Sequence, residues 1–181
     1  MSVVCKSGPV SIGPVKYSLS RNTQTLGARK MGVEANATDQ NPSAMASEHV
    51  EALLEAARYN DIDDVIRLAA IGVSLDSKDA EGRTALHMAS ANGNVDIVNY
   101  LISNKVDVNA FNIENNTPLH WACLNGHIQV VNILILAGAD VSSLNRHEKT
   151  PVDEAAIGGK MDVIDAINTA VAQVELTRTS V

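Results

Sequence analysis

The 181 residues suffice for one ordinary domain and a tail, and a hydrophobic content of 45% allows a sizeable buried core. Aromatic residues are only 3%, so that core must be built from Leu, Ile, Val and Ala, the filling of stacked helices. No apolar run reaches the roughly 18 residues of a membrane span, and two cysteines, Cys5 and Cys123, make no disulfide framework and fit a reducing compartment.

The net charge of −7 is unevenly divided: residues 1–33 hold five bases and no acid, leaving −12 on residues 34–181. An acidic body repels phosphate backbones, which argues against direct nucleic-acid binding, and it suits a basic protein partner. The same charge also serves plain solubility. Residues 1–44 contain Pro9, Pro14, Pro42, four glycines and many small polar residues without any period, and are expected to be a disordered extension. Their basic, acid-free first part has the composition of an organelle transit peptide, the alternative being a simple flexible arm. Met45-Ala46-Ser47 is a candidate second start just before the fold.

From Met45 the pattern changes. Thr84, Thr117 and Thr150 are spaced 33 residues apart, and Leu86, His87, Gly93 and Val98 return as Leu119, His120, Gly126 and Val131. Self-similarity at one fixed period signals a stacked repeat array. Four units are expected, at about 46–78, 79–111, 112–144 and 145–174. The first has Ser47 as a candidate N-cap, is degenerate, keeps Leu53, Ala56 and Leu68 in register, and breaks between helices at Asn60-Asp61. Gly72 ends its second helix. In the second unit Leu86 and Ala89 line one helix and Val95, Val98, Leu101 and Ile102 the next. The third repeats this with Leu119, Ala122, Ile128, Val131, Leu134 and Ile135. In the fourth, Asp153 and Glu154 replace His and an apolar residue, and the helix from Met161 to about Val174 carries Asp162, Asp165 and Asn168, a polar closing face. Residues 175–181 are expected to fray.

Each threonine stands where an N-cap hydroxyl would satisfy a free helix N–H. Pro118 and Pro151 then occupy the first helical position, where a missing N–H costs nothing. His87 and His120 can bond back to the threonine or to the adjacent turn. They are too far apart in sequence, and too poor in neighbouring carboxylates, to suggest a metal. His49, His127 and His147 form no cluster. No phosphate loop, paired catalytic acids or nucleophile elbow is present, so no catalytic, cofactor or metal residue is assigned.

These words, Thr-Ala/Pro-Leu-His, an Ala-rich helix, Asn-Gly, a second apolar helix and Gly-Ala-Asp-Val, resemble the ankyrin repeat over about Met45 to Val174. The resemblance implies an all-α solenoid of about four helix-turn-helix units joined by short β-turn fingers. It also implies that the fingers and first helices form a concave surface that binds protein. The register assigns that surface Met88, Ala91 and Asn92; Trp121, Leu124 and Asn125; Glu55, Arg58 and Tyr59; Ile157 and Gly158. The finger positions are Lys78, Phe111 and Leu144, with Ile113 beside Phe111. Trp121 is read either as a docking anchor or as packing between neighbouring first helices.

The chain is further similar to small free-standing ankyrin proteins, a group that includes a fungal chaperone of a basic ribosomal protein. That implies a non-catalytic adaptor or escort for a protein client of basic character, acting as a monomer in cytoplasm or nucleus, or in an organelle if the N-terminal arm is a transit peptide. The competing reading is a transcriptional or signalling regulator that works through protein partners.

Overall fold

The computed structural model describes residues 42–178; the expectations for the N-terminal arm and for residues 179–181 lie outside the described residues. Among the described residues there are eight helices and no strand: α1 (Pro42–Arg58), α2 (Ile62–Ala70), α3 (Ala85–Asn92), α4 (Val95–Ser103), α5 (Pro118–Asn125), α6 (Ile128–Leu136), α7 (Pro151–Ile157) and α8 (Met161–Arg178). They form four hairpins. The first helices α1, α3, α5 and α7 pack side by side in that order, and the second helices α2, α4, α6 and α8 form a parallel row behind them. This is the all-α repeat solenoid that the resemblance implied.

Local chemistry sets the helix ends. Thr84, Thr117 and Thr150 precede α3, α5 and α7 in extended conformation, and Pro118 and Pro151 open their helices. Asn60, at φ 62°, breaks the first hairpin, and Asp61 caps α2 by accepting the Asp64 N–H at 3.1 Å. The second helices stop at positions 72, 105 and 138, where Gly72, Lys105 and Gly138 are all left-handed. The residue after each one donates back into the last helical turn, Val73 to Leu68 and Ala139 to Leu134. The next position in register is Val171, a β-branched residue that resists the left-handed region. Helix α8 therefore has no stop there and runs to Arg178, so residues 175–178, expected to fray, are helical. At the other end α1 begins at Pro42, and Ser47 lies inside that helix rather than capping it.

The core is aliphatic, as the composition requires. Leu53, Leu86 and Leu119 on the first helices and Leu68, Leu101 and Leu134 on the second are all buried in one core. Ile97 and Val130 are also fully buried, while Val95, Ile102 and Ile128 are only half-buried. Val98, Leu101, Val131, Leu134 and Ile135 are thus buried as the spacing suggested, while Ile97 and Val130 take the places expected for Val95 and Ile128. Between first helices the same position holds Ser90 and then Cys123, both fully buried. Small side chains here allow close approach. Burial pushes the Cys123 thiol up to about 12, so it acts as a small core residue.

Two glycines separate backbone strain from crowding. Gly93 (φ 75°) ends α3, and a Cβ there would lie 2.6 Å from Nδ1 of His127, whose Nε2 faces the Ala91 carbonyl at 3.0 Å. Gly138 (φ 95°) has nothing within 4 Å of such a Cβ. Gly138→Ala is expected to cost about 1 kcal/mol, the left-handed penalty alone. Gly93→Ala should cost at least about 2 kcal/mol, because His127 must also move. Urea unfolding of the two variants checks this; equal losses would contradict the close approach.

Candidate functional site

Three fingers, between α2 and α3, α4 and α5, and α6 and α7, are built alike. Asp79, Asn112 and Asn145 occupy one register position, and the Oδ1 of each accepts two backbone N–H groups of its own turn. The donors are Glu81 and Arg83 (3.0 and 2.8 Å), Glu114 and Asn116 (3.0 and 2.9 Å), and His147 and Lys149 (3.0 and 3.1 Å). The same residues donate their backbone N–H to the carbonyls of Arg83, Asn116 and Lys149. Gly82, Asn115 and Glu148 make the turn with positive φ. Successive fingers are tied together, Ile113 N–H to Glu81 O at 3.0 Å and Arg146 N–H to Glu114 O at 2.8 Å. Sequence reading passed over this brace, although Asp79, Asn112 and Asn145 stand 33 apart and could have been found by the same register argument.

The histidines join fingers to helices. His87 Nδ1 accepts the Thr84 N–H at 3.2 Å, and its Nε2 lies 3.0 Å from the Asn116 carbonyl in the next finger. Because a carbonyl only accepts, Nε2 carries the proton and the ring is neutral. His120 repeats this with Thr117 N–H at 3.1 Å and Lys149 O at 3.1 Å. In the fourth unit Asp153 does the same work, accepting the Thr150 N–H at 2.9 Å and hydroxyl at 2.7 Å. Those two bonds hold its carboxyl below the usual range. Burial pulls His87 down to about 4 and lowers His120, in each case partly opposed by the hydrogen bond to a backbone carbonyl. The expected bond of each histidine to its threonine is present, and each also clamps the following finger.

The brace leaves the residue before it facing outward. Phe111 is 45% exposed, and Ile113 and Leu144 are exposed as well. Lys78, at the equivalent place in the first finger, is exposed and donates its Nζ to the Phe111 carbonyl at 3.0 Å. Tyr59, just past α1, and Leu124 and Ile157 on α5 and α7 are exposed. Asn92 and Asn125 are exposed but engaged, Asn92 donating to Met88 O at 2.8 Å and Asn125 to Ala91 O at 2.9 Å. Asn125 thereby ties one first helix to the previous one.

Met88 departs from its expected place on the surface. It is 3% exposed, packed into the core, with Arg58 Nη2 3.4 Å from its sulfur. The long side chain folds down between neighbouring first helices, where small residues leave room. Trp121 is half-buried against the core, its ring edge-on to His87 at 5.4 Å and 74°. It packs, and it also keeps part of its surface on the outside. The exposed apolar residues of this face thus concentrate on the second and third fingers and on α5 and α7.

Charge on the described residues is 19 acids to nine bases. The second helices, with the residues just before them and the turns after them, carry ten acids and four bases, the first helices and fingers nine and five. On the finger side Arg83 is bound by Asp79 and Glu81 at 2.6 and 2.9 Å. Among the described residues no His, Cys, Asp and Glu group could hold a metal, and no helix is long and apolar enough to cross a membrane.

A solenoid of Thr-capped helical hairpins with histidine-braced fingers is a repeat protein built to present an extended surface. The family profile described as Ankyrin repeats (3 copies) matches residues 53–145 and 114–170, and the chain belongs to the ankyrin repeat family. No curated protein matches it. Ankyrin repeats are protein–protein interaction modules, typically non-catalytic, so the partner class is another protein.

Proposed function

We propose that this chain is an adaptor or chaperone-like escort that holds another polypeptide on its fingers and first helices. The observation that carries this reading is the exposed apolar set Phe111, Ile113, Leu124, Leu144 and Ile157, on a face where fingers otherwise present polar residues. Large side chains held out on braced turns cost solvation and do nothing for the core, whereas a few such anchors dominate binding energy at protein interfaces. The client is basic: a body with ten more acids than bases attracts it over distance, and the apolar anchors hold it once it arrives.

Photocrosslinking tests the surface. A benzophenone amino acid placed at Leu144 should trap a client protein, and one placed at the exposed Asn99 on α4 should not. Phe111→Ala should weaken capture of that client by about 30-fold, the effect of losing one interface anchor worth ~2 kcal/mol. Equal crosslinking from both positions, with capture indifferent to Phe111, would reject this face as the docking site.

A further inference from the structure

We propose that the docked segment carries a lysine or arginine next to apolar side chains, and that Glu154 receives the cation. This deepens the docking reading above and rests on it. Glu154 stands in the register row Met88, Trp121, Glu154 along the first helices, so the fourth unit places a carboxylate where the two before it place large apolar groups. Ile157 lies one turn further on the same helix and is exposed.

The carboxylate is held firmly and, among the described residues, has no counter-ion. Its Oε1 accepts the Asn145 amide at 2.8 Å, and that amide also reaches Asn116 Oδ1 at 3.0 Å. Asn145 and Asn116 are both buried. Asn116 in turn donates to Glu114 Oε2 at 3.3 Å. A buried amide chain thus fixes two carboxylates across the bases of neighbouring fingers, and among the described residues neither is in an ion pair. The half-buried Glu154 therefore keeps one oxygen for an external donor. A charge-assisted bond there gains strength when docking excludes water. The methylene stem of a lysine or arginine can cover the exposed part of Trp121 while its head meets Glu154.

Glu154→Gln isolates the charge, because the amide oxygen of Gln can still accept from Asn145 and keep the third finger braced. A displayed library of random dodecapeptides is selected on the full-length chain. The wild type should enrich peptides in which Lys or Arg adjoins apolar residues. Glu154→Gln should still enrich apolar peptides but lose the cationic preference. It should bind a wild-type-selected peptide about tenfold more weakly, with a flatter salt dependence. Leu124→Asp should abolish enrichment of either kind. Retention of the cationic preference in Glu154→Gln, or its absence from the wild-type selection, overturns the assignment to Glu154 while leaving the docking face standing. Undiminished enrichment by Leu124→Asp overturns the docking face itself, and no enrichment by the wild type overturns both.

Discussion

Leu119→Ala should lower the unfolding free energy by about 2–5 kcal/mol, the range of buried leucine truncations. Leu119 is fully buried at the start of α5, in the middle of the row of first helices. Helix α5 packs on both α3 and α7. A cavity there loosens two unit-to-unit interfaces at once, and in an array each unit depends on its neighbours. Leu134→Ala, equally buried on α6, should behave alike. The control is Leu144→Ala. Leu144 is 55% exposed on the third finger, and its truncation should change stability by no more than about 0.5 kcal/mol. Urea unfolding of the three variants decides it; similar losses at all three would contradict the assignment of faces. A Leu144 variant that stays stable yet loses client would also separate the docking surface from the core.

Acid should destabilise the fold between about pH 6.5 and pH 4, and His87 should account for much of the loss. In the unfolded chain its imidazole takes a proton near 6.5. In the folded chain burial holds it neutral down to about 4. Between those values the unfolded state binds more protons, so stability is complete above the unfolded value and falls as pH falls. The full difference is on the order of 3 kcal/mol. His120 is lowered for the same reason and acts in the same direction. The structural cost is specific: a proton on Nδ1 removes the acceptor for the Thr84 N–H, opening the cap of α3. His87→Ala should therefore lose stability at pH 7 and show a flatter dependence between pH 6.5 and pH 4. Urea midpoints at pH 7, 6 and 5 measure it. An unchanged slope in the variant would show that the acid sensitivity resides elsewhere. Asp140 and Asp153, whose folded values are depressed by hydrogen bonds from Ser142 and Thr150, weaken the protein only at lower pH, as they take up protons.

The histidines that carry the acid response also hold the fingers of the proposed docking surface. Each histidine Nε2–H holds a backbone carbonyl of the following finger, Asn116 for His87 and Lys149 for His120. Those fingers carry Phe111 and Leu144. Protonation at Nδ1 frees the threonine end of the link and leaves the Nε2–H bond to the finger carbonyl in place, so the helix cap opens while the finger stays tied to the ring.

What the amino-acid sequence determined by itself is everything that depends on neighbours along the chain. The threonine caps, Pro118 and Pro151 at helix starts, the break at Asn60-Asp61 and the left-handed stop at Gly72 each involve a few consecutive residues, and a 33-residue period repeats them. Fold class and unit count follow. Only the tertiary structure decided how each helix is rotated against the next unit, because that depends on which small residues let which neighbours approach. It put Met88 inside, left Trp121 half in and half out, and buried Ile97 and Val130 in place of Val95 and Ile128. It also joined Glu154 to Glu114 through Asn145 and Asn116, residues from three successive segments that no local pattern links. Helix α8 shows both levels at once: the missing glycine at Val171 is a matter of local sequence, but its consequence became visible only where the helix ran on.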